Sequence, residues 1–247
     1  MVQVSWHRGG KEFAPSATKA AFAAAARAGA EWIEVDVRAS ADGVLVCVHD
    51  PSVDGLGDVS TLEWATLSDD DRARVLTFDQ FLDVLDDADP DRCVTGVHLD
   101  LKDEGYEIAA VDAVVGRGRA LFATTSIANS VARIRRARPH VDAYLTIGTS
   151  RAGLSRRALV RLRASEIFPM WRIARTRATG VAVHHALATN MLRAWCRYRS
   201  LAVVVWTVDR DDRLDRWLAS DVDVVTTNRP VHALARRREM ARTTPGG

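Results

Sequence analysis

Two histidines, three carboxylates and two side-chain cations occupy positions in this sequence from which folding could bring them together. The run "QVSW" ends in His7 and Arg8, followed by Gly9 and Gly10. Glu34 and Asp36 stand two apart in "WIEVDV", so in an extended chain both side chains leave the same face. His98, Asp100 and Lys102 share one face of "VTGVHLDLK" by the same parity, and His49 and Asp50 close "VLVCVHD". Glu34, Asp36 and Asp100 directed into one cleft would repel one another and be costly to bury unneutralised. A hard divalent cation resolves that conflict. Oxygen donors without cysteine or clustered histidine favour Mg²⁺ or Ca²⁺ over zinc. The alternative resolution is an ion-pair network with Arg8 or Lys102.

Histidine titrates near neutral pH and can give or take a proton. His7 and His49 on opposite sides of a phosphorus centre would make a general base and a general acid. Arg8 would then hold non-bridging oxygens with its planar fork and Lys102 as a point charge. A strand-end histidine also serves as a hydrogen-bonded structural residue. His98 reads equally well as a polar core residue, and His140, His184, His185 and His232 take the structural reading.

The elements that must position these groups alternate. "VQVSW" reads as a strand and "SATKAAFAAAARAGA" as a helix, with Pro15 before it and Gly29 near its end. "WIEVDV" is the next strand, "ADG" a turn, and "VLVCVHD" a hairpin extension. A Gly- and Asp-rich loop begins at Pro51. From there helices and strands alternate: "TFDQFLDVLDDA", "VTGVHLDLK", "YEIAAVDAVVGRG", "LFATTS", "SVARIRRAR" and "DAYLTIG". A helical arginine-rich stretch follows, then "GVAVHH", "NMLRAWCRYR", "LAVVVWTV", "RDDRLDRWLA", "DVVTTN" and "VHALARRREMAR". Repeated βα units imply a parallel sheet. Eight of them predict a (β/α)₈ TIM barrel with an extra hairpin strand after the second strand and a short insertion. An open doubly wound sheet is the other candidate, but no GxGxxG opens the first helix. The expected organisation is one domain over 1–242 with a flexible tail at 243–247.

The 247 residues, 47% of them hydrophobic, suffice for one barrel of this kind. The net charge of +2 conceals a division: residues 1–112 hold 23 acidic and 9 basic side chains, residues 113–247 hold 9 and 25. The basic half could face an anionic ligand or a membrane surface. Alternatively, the two halves attract each other within one fold. "RRALVRLR" lacks the aromatic interleaving of a nucleic-acid site, so no nucleic-acid partner is expected. Cys47, Cys93 and Cys196 offer neither a disulfide framework nor a zinc pattern, and a reducing compartment follows. The fold is expected to begin by residue 3, without a signal peptide, and no stretch has the length of a membrane span. The expected location is cytoplasmic, with peripheral membrane contact left open.

"HRG" at 7–9, "EVD" at 34–36, "HD" at 49–50, "LDLK" at 99–102, "VWTVD" at 205–209 and "TTNRP" at 226–230 together resemble the glycerophosphodiester phosphodiesterase family. The resemblance runs over almost the whole chain, and "ADGVLVCVHDP" is its most distinctive stretch. It implies a barrel that hydrolyses a small-molecule glycerophosphodiester to an alcohol and glycerol 3-phosphate. His7 and His49 fall on the family's catalytic histidine pair, and Glu34 and Asp36 on two metal ligands. Asp100 falls where the family usually has the glutamate of an E-x-K pattern. Lys102 and Arg8 match a lysine and an arginine of the family, and Trp206 a tryptophan that would wall the substrate pocket. Three positions depart from the pattern: Pro15-Ser16-Ala17-Thr18 stands for P-E-N-T, Asp100 for glutamate, and Asn228 for a frequent aspartate. The segment from 51 to 76 is short for the family's inserted subdomain, which would suit a bulkier substrate. Two other activities follow from these departures: release of a headgroup from lysophospholipids, or binding of a phosphorylated ligand without turnover.

Overall fold

The computed structural model describes residues 1–91, 96–148 and 170–243. Eight strands form a closed parallel ring: β1 (Gln3–Trp6), β2 (Trp32–Ala39), β6 (Gly96–Leu101), β7 (Leu121–Thr125), β8 (Asp142–Ile147), β9 (Gly180–His184), β10 (Ala202–Trp206) and β11 (Val224–Thr227). Pairing of β1 with both β11 and β2 closes the ring. The fold is thus the expected TIM barrel. The hairpin extension is present but short: β3 (Leu45–Val46) pairs antiparallel with the end of β2, and the chain leaves the sheet before His49. The insertion that follows holds a two-stranded ribbon, β4 (Ser52–Val53) with β5 (Gly57–Asp58), and a short helix, α2 (Asp69–Ala73).

The remaining helices lie between strands, with α9 after the last of them: α1 (Lys19–Arg27), α3 (Phe78–Ala88), α4 (Glu107–Gly116), α5 (Ala128–Ala137), α6 (Met170–Thr176), α7 (Asn190–Tyr198), α8 (Asp211–Leu218) and α9 (Pro230–Thr243). Helix α1 begins at Lys19, not at Ser16, because Ala17 takes a left-handed conformation (φ 63°) and Thr18 caps the helix by accepting from the Ala21 N–H. Helix α3 starts on a capping box between Thr77 and Gln80. The acidic and basic halves of the sequence meet in this outer layer. Arg119, its side chain fully buried, pairs with Asp86 and Asp89, Arg133 with Glu107, and Arg237 with Glu31. The predicted arginine-rich helix containing "RRALVRLR", Cys93, and the tail past Thr243 lie outside the described residues. Among the described residues no helix is long and apolar enough to cross a membrane.

Outward-facing strand residues such as Val4, Val35, Leu99, Leu145, Val183 and Val205 are fully buried under the helices. Inward-facing residues fill the barrel in layers. At the end where the strands begin, Trp32, Phe122 and Tyr144 pack together, with ring centroids 4.8 Å and 5.1 Å apart. Trp32 Nε1 donates to Gln3 Oε1 at 2.9 Å, satisfying the indole. These rings fit because Gly96 and Gly180 stand between them: a Cβ on Gly96 would lie 2.3 Å from the Trp32 ring. The aromatic plug closes one end of the barrel, so polar inward-facing groups collect at the other.

A Cβ on Gly180 would meet both the Ala202 carbonyl oxygen and the Tyr144 ring at 2.7 Å. The backbone oxygen cannot turn aside, so Gly180→Ala is expected to lower unfolding free energy by about 1–3 kcal/mol, as overpacking does. Chemical denaturation of the two proteins checks it.

Candidate active site

At the carboxyl ends of the strands the chain after β1 makes a single 3₁₀ turn, His7–Gly9. Arg8 lies in the left-handed region at φ 51°, followed by Gly9 at 78° and Gly10 at 80°. A non-glycine residue there costs on the order of 1–2 kcal/mol, and such strain persists where surroundings enforce it. Here the turn aims the Arg8 N–H at Glu34 Oε2, 2.8 Å away, while its side chain reaches Asp36. Gly9 is required by packing too: a Cβ would lie 2.9 Å from the Ala21 backbone carbon.

His7 is held from behind. Its Nδ1 lies 2.9 Å from Asn228 Oδ1. The Asn228 amide nitrogens settle which way that side chain points, because Nδ2 donates to Asp209 Oδ2 at 2.7 Å and the backbone N–H to Asp209 Oδ1 at 2.8 Å. Oδ1 therefore accepts, Nδ1 of His7 carries the proton, and Nε2 presents a lone pair to the barrel mouth. That Nε2 lies 3.9 Å from Glu34 Oε2. Burial lowers the His7 pKa, a shift the Asn228 hydrogen bond opposes, so the ring is neutral at neutral pH.

Glu34 and Asp36 leave β2 on the inward face, 3% and 5% exposed, and Asp100 joins them from β6, whose register sets it opposite Asp36. One carboxylate oxygen from each lies within 4.8 Å of the others, and among the described residues this is the cluster that could hold a metal ion. Two oxygens bound to one Mg²⁺ or Ca²⁺ are at most about 4–5 Å apart, so the set fits a hard cation, with contraction for Mg²⁺. The ion-pair network considered from sequence is also present. Arg8 Nε lies 2.6 Å from Asp36 Oδ2; Lys102 Nζ lies 2.7 Å from Asp36 Oδ1 and 2.5 Å from Asp100 Oδ2. Burial alone would raise the Asp36 pKa, but Lys102 and Arg8 overcome it and hold the carboxyl at about 2. Glu34 has no such partner. Burial, then Asp36 and Asp100, push its pKa well above the ordinary carboxylate value. Two cations against three carboxylates leave Glu34 as the group that a further positive charge would satisfy.

His49 sits on the loop beyond β3, its side chain 47% exposed, with Nδ1 2.7 Å from Asp50 Oδ1. Arg38 of β2 fixes that loop by donating from Nε and Nη2 to the His49 carbonyl oxygen. Trp206 ends β10 with its ring edge-on to His184, centroids 5.4 Å apart, and its Nε1 is buried without a hydrogen-bond partner among the described residues. The structure thus groups Arg8, Glu34, Asp36, Asp100 and Lys102 in direct contact, with His7 beside them. Asp209 closes the quoted "VWTVD", yet its hold on Asn228 gave no sequence signal, because the two are joined only by the pairing of neighbouring strand ends.

Residues 7–232 match the model of the Glycerophosphoryl diester phosphodiesterase family. A Mycobacterium tuberculosis protein named "Probable glycerophosphodiester phosphodiesterase 2" is 30% identical over 242 residues, 90% of this chain and 86% of that relative. A second M. tuberculosis protein, "Probable glycerophosphodiester phosphodiesterase 1", is 46% identical over 65 residues, 25% of this chain and only 24% of that relative's length. The crystal structure of an Oleispira antarctica phosphodiesterase in complex with the product sn-glycerol-3-phosphate superposes with a TM-score of 0.74 at 18% identity, covering 95% of this chain and 96% of that one.

The left-handed Ala17 is held by its N–H donating to the Arg8 carbonyl oxygen at 2.8 Å, so the loop that supports the Arg8 turn is itself strained. Glycine and asparagine adopt this conformation more readily than alanine. Ala17→Gly is expected to raise unfolding free energy by about 0.5–1 kcal/mol, the left-handed cost less glycine's entropy. A lower denaturation midpoint would show that the strain is absorbed elsewhere.

Proposed function

The chain belongs to the glycerophosphoryl diester phosphodiesterase family, and on that premise we propose that it hydrolyses glycerophosphodiesters to an alcohol and glycerol 3-phosphate. His7 and His49 are the acid/base pair, Arg8 and Lys102 hold the phosphate, and Trp206 walls the pocket. Glu34, Asp36 and Asp100 would hold a divalent cation, Mg²⁺ or Ca²⁺. The observation that carries this reading is a neutral His7, fixed as the Nδ1–H tautomer, with its free Nε2 3.9 Å from the carboxylate that lacks a cation. A base must be unprotonated, and the lowered pKa together with the Nδ1–H donated to Asn228 supports that role for His7. The product-bound Oleispira antarctica structure supports the substrate class through the shared fold.

The roles divide as follows. His7 would take at Nε2 the proton of the water whose oxygen attacks phosphorus, and Asn228 keeps the ring from turning while it does so. His49, half exposed and tied through Nδ1 to Asp50, gives a proton to the departing oxygen. Arg8 and Lys102, held among the carboxylates, would meet the non-bridging oxygens of a phosphodiester. A cation bound to the three carboxylates would supply Lewis-acid polarisation of a phosphoryl oxygen.

The test is release of glycerol 3-phosphate from glycerophosphocholine by the purified chain, with Mg²⁺, with Ca²⁺ and with EDTA. A lysophospholipid is assayed in parallel. His7→Ala and His49→Ala are each expected to lower turnover by about 10²–10⁴-fold while the protein stays folded. Retention of activity within a few-fold would remove either histidine from its role. Glu34→Gln and Asp36→Asn are expected to weaken cation binding and rate together. Asp100→Ala should raise the cation concentration needed, whereas Asp100→Glu keeps activity. Phosphate-ligand binding without turnover of any diester would leave a binding protein.

A further inference from the structure

Behind Asp100 lies a string of hydrogen bonds that the proposed chemistry does not use. Thr124 of β7 donates from Oγ1 to Asp100 Oδ1 at 2.7 Å. His98 Nε2 lies 3.1 Å from the same Thr124 oxygen, and Ser5 Oγ of β1 lies 2.9 Å from His98 Nδ1. Ser5, His98 and Thr124 are 0%, 4% and 2% exposed, so no bulk solvent competes for these groups.

The direction of the string is fixed by its ends. The Thr124 hydroxyl has one proton, which it gives to the carboxylate; Thr124 must then accept from His98, so Nε2 carries the imidazole proton. Nδ1 is left as a lone pair, and Ser5 donates to it. The ring cannot escape by turning. It packs against Phe122 with centroids 4.4 Å apart, and Phe122 packs in turn against Trp32 and Tyr144 in the aromatic plug.

The consequence falls on the carboxylate. Asp100 Oδ1 is committed to Thr124, while Oδ2 lies 2.5 Å from Lys102 Nζ, which is itself 2.7 Å from Asp36 Oδ1; one Asp100 oxygen completes the cluster formed with Glu34 and Asp36. We propose that Ser5, His98 and Thr124 are positioning residues. Anchored on the aromatic plug, they turn Asp100 so that one oxygen alone is offered to the cation. This rests on the cation reading given above. A short side chain held at one oxygen loses little freedom when it binds an ion, and hydrogen-bond partners behind a metal ligand are typically worth about 10–100-fold in affinity. The string accounts for the buried histidine on β6: an apolar residue would fill the layer but could not orient Thr124.

Calorimetric titration of the EDTA-stripped full chain with Mg²⁺ and with Ca²⁺ reads the effect directly, and thermal unfolding shows whether each variant is folded. Thr124→Val keeps the shape and removes the hydroxyl; it is expected to raise the dissociation constant about tenfold or more. Thr124→Ser restores the donor and is expected to bind within about threefold of the parent, a rescue that packing alone does not give. His98→Phe keeps the ring contact with Phe122, frees the Thr124 hydroxyl to rotate, and is expected to weaken binding several-fold, giving a second test should Thr124→Val not fold. At saturating cation the Thr124→Val kcat and substrate KM return to within a few-fold of the parent, because Thr124 touches neither histidine of the proposed pair. A parent that binds with folded Thr124→Val and His98→Phe equal to it overturns the relay alone. Equal loss in Thr124→Ser and Thr124→Val does the same. A parent that binds neither cation overturns the cation reading and the relay with it.

Discussion

Three carboxylates share the mouth of this barrel, and the surrounding structure answers to their mutual repulsion. Glu34 and Asp36 are almost wholly buried, and Asp100 lies within ligand distance of both. An isolated buried carboxylate is costly, and three together cannot all stay ionised without compensation. Two answers come from the chain itself. Lys102 lies between Asp36 and Asp100 with its pKa raised, the carboxylates overcoming the effect of burial. Arg8 reaches Asp36 from a turn that its own left-handed backbone makes possible. The strained "HRGG" turn, the inward lysine at the end of β6 and the raised pKa of Glu34 are thus parts of one electrostatic problem.

The rest of the barrel interior keeps that problem at one end. Strand β6 carries the division within a few residues. Gly96 makes room for the Trp32 ring, His98 bridges the middle layer, and Asp100 and Lys102 lie among the charges. Water-filled polar layers below the carboxylates would raise the local dielectric and weaken every interaction described above them. The plug of Trp32, Phe122 and Tyr144 prevents this and gives the polar layer a rigid base. Packing below therefore sets electrostatic geometry above. The same side chains that fill the core also determine which way His98 points.

Much of this was legible in the sequence because strand parity is a local rule. Positions two apart on one strand face one way, and that alone placed Glu34 with Asp36 and His98 with Asp100 and Lys102. The βα alternation gave the barrel for a similar reason, since each unit signals itself. What stayed hidden depends on neighbours that only the closed ring supplies. Ser5, His98 and Thr124 come from β1, β6 and β7, and Asp209 and Asn228 from the ends of β10 and β11; no spacing rule joins them. Helix α1 starts late because Ala17, a good helix former by propensity, is forced into the left-handed region by the loop it supports. The run "VLVCVHD" predicts a strand as far as His49, but pairing ends at Val46 and Arg38 holds the His49 carbonyl outside the sheet.

The asparagine beside His7 orients the ring without bringing a charge of its own. An aspartate accepting directly from Nδ1 would place a full negative charge against the ring and favour the imidazolium. Asn228 makes the same hydrogen bond with a neutral oxygen, and the charge of Asp209 stands one hydrogen bond further back. Orientation and tautomer are kept, while the stabilisation of a proton at Nε2 is reduced. Burial then dominates, and the His7 pKa falls below its ordinary value. A ring so held presents its Nε2 lone pair 3.9 Å from Glu34 Oε2.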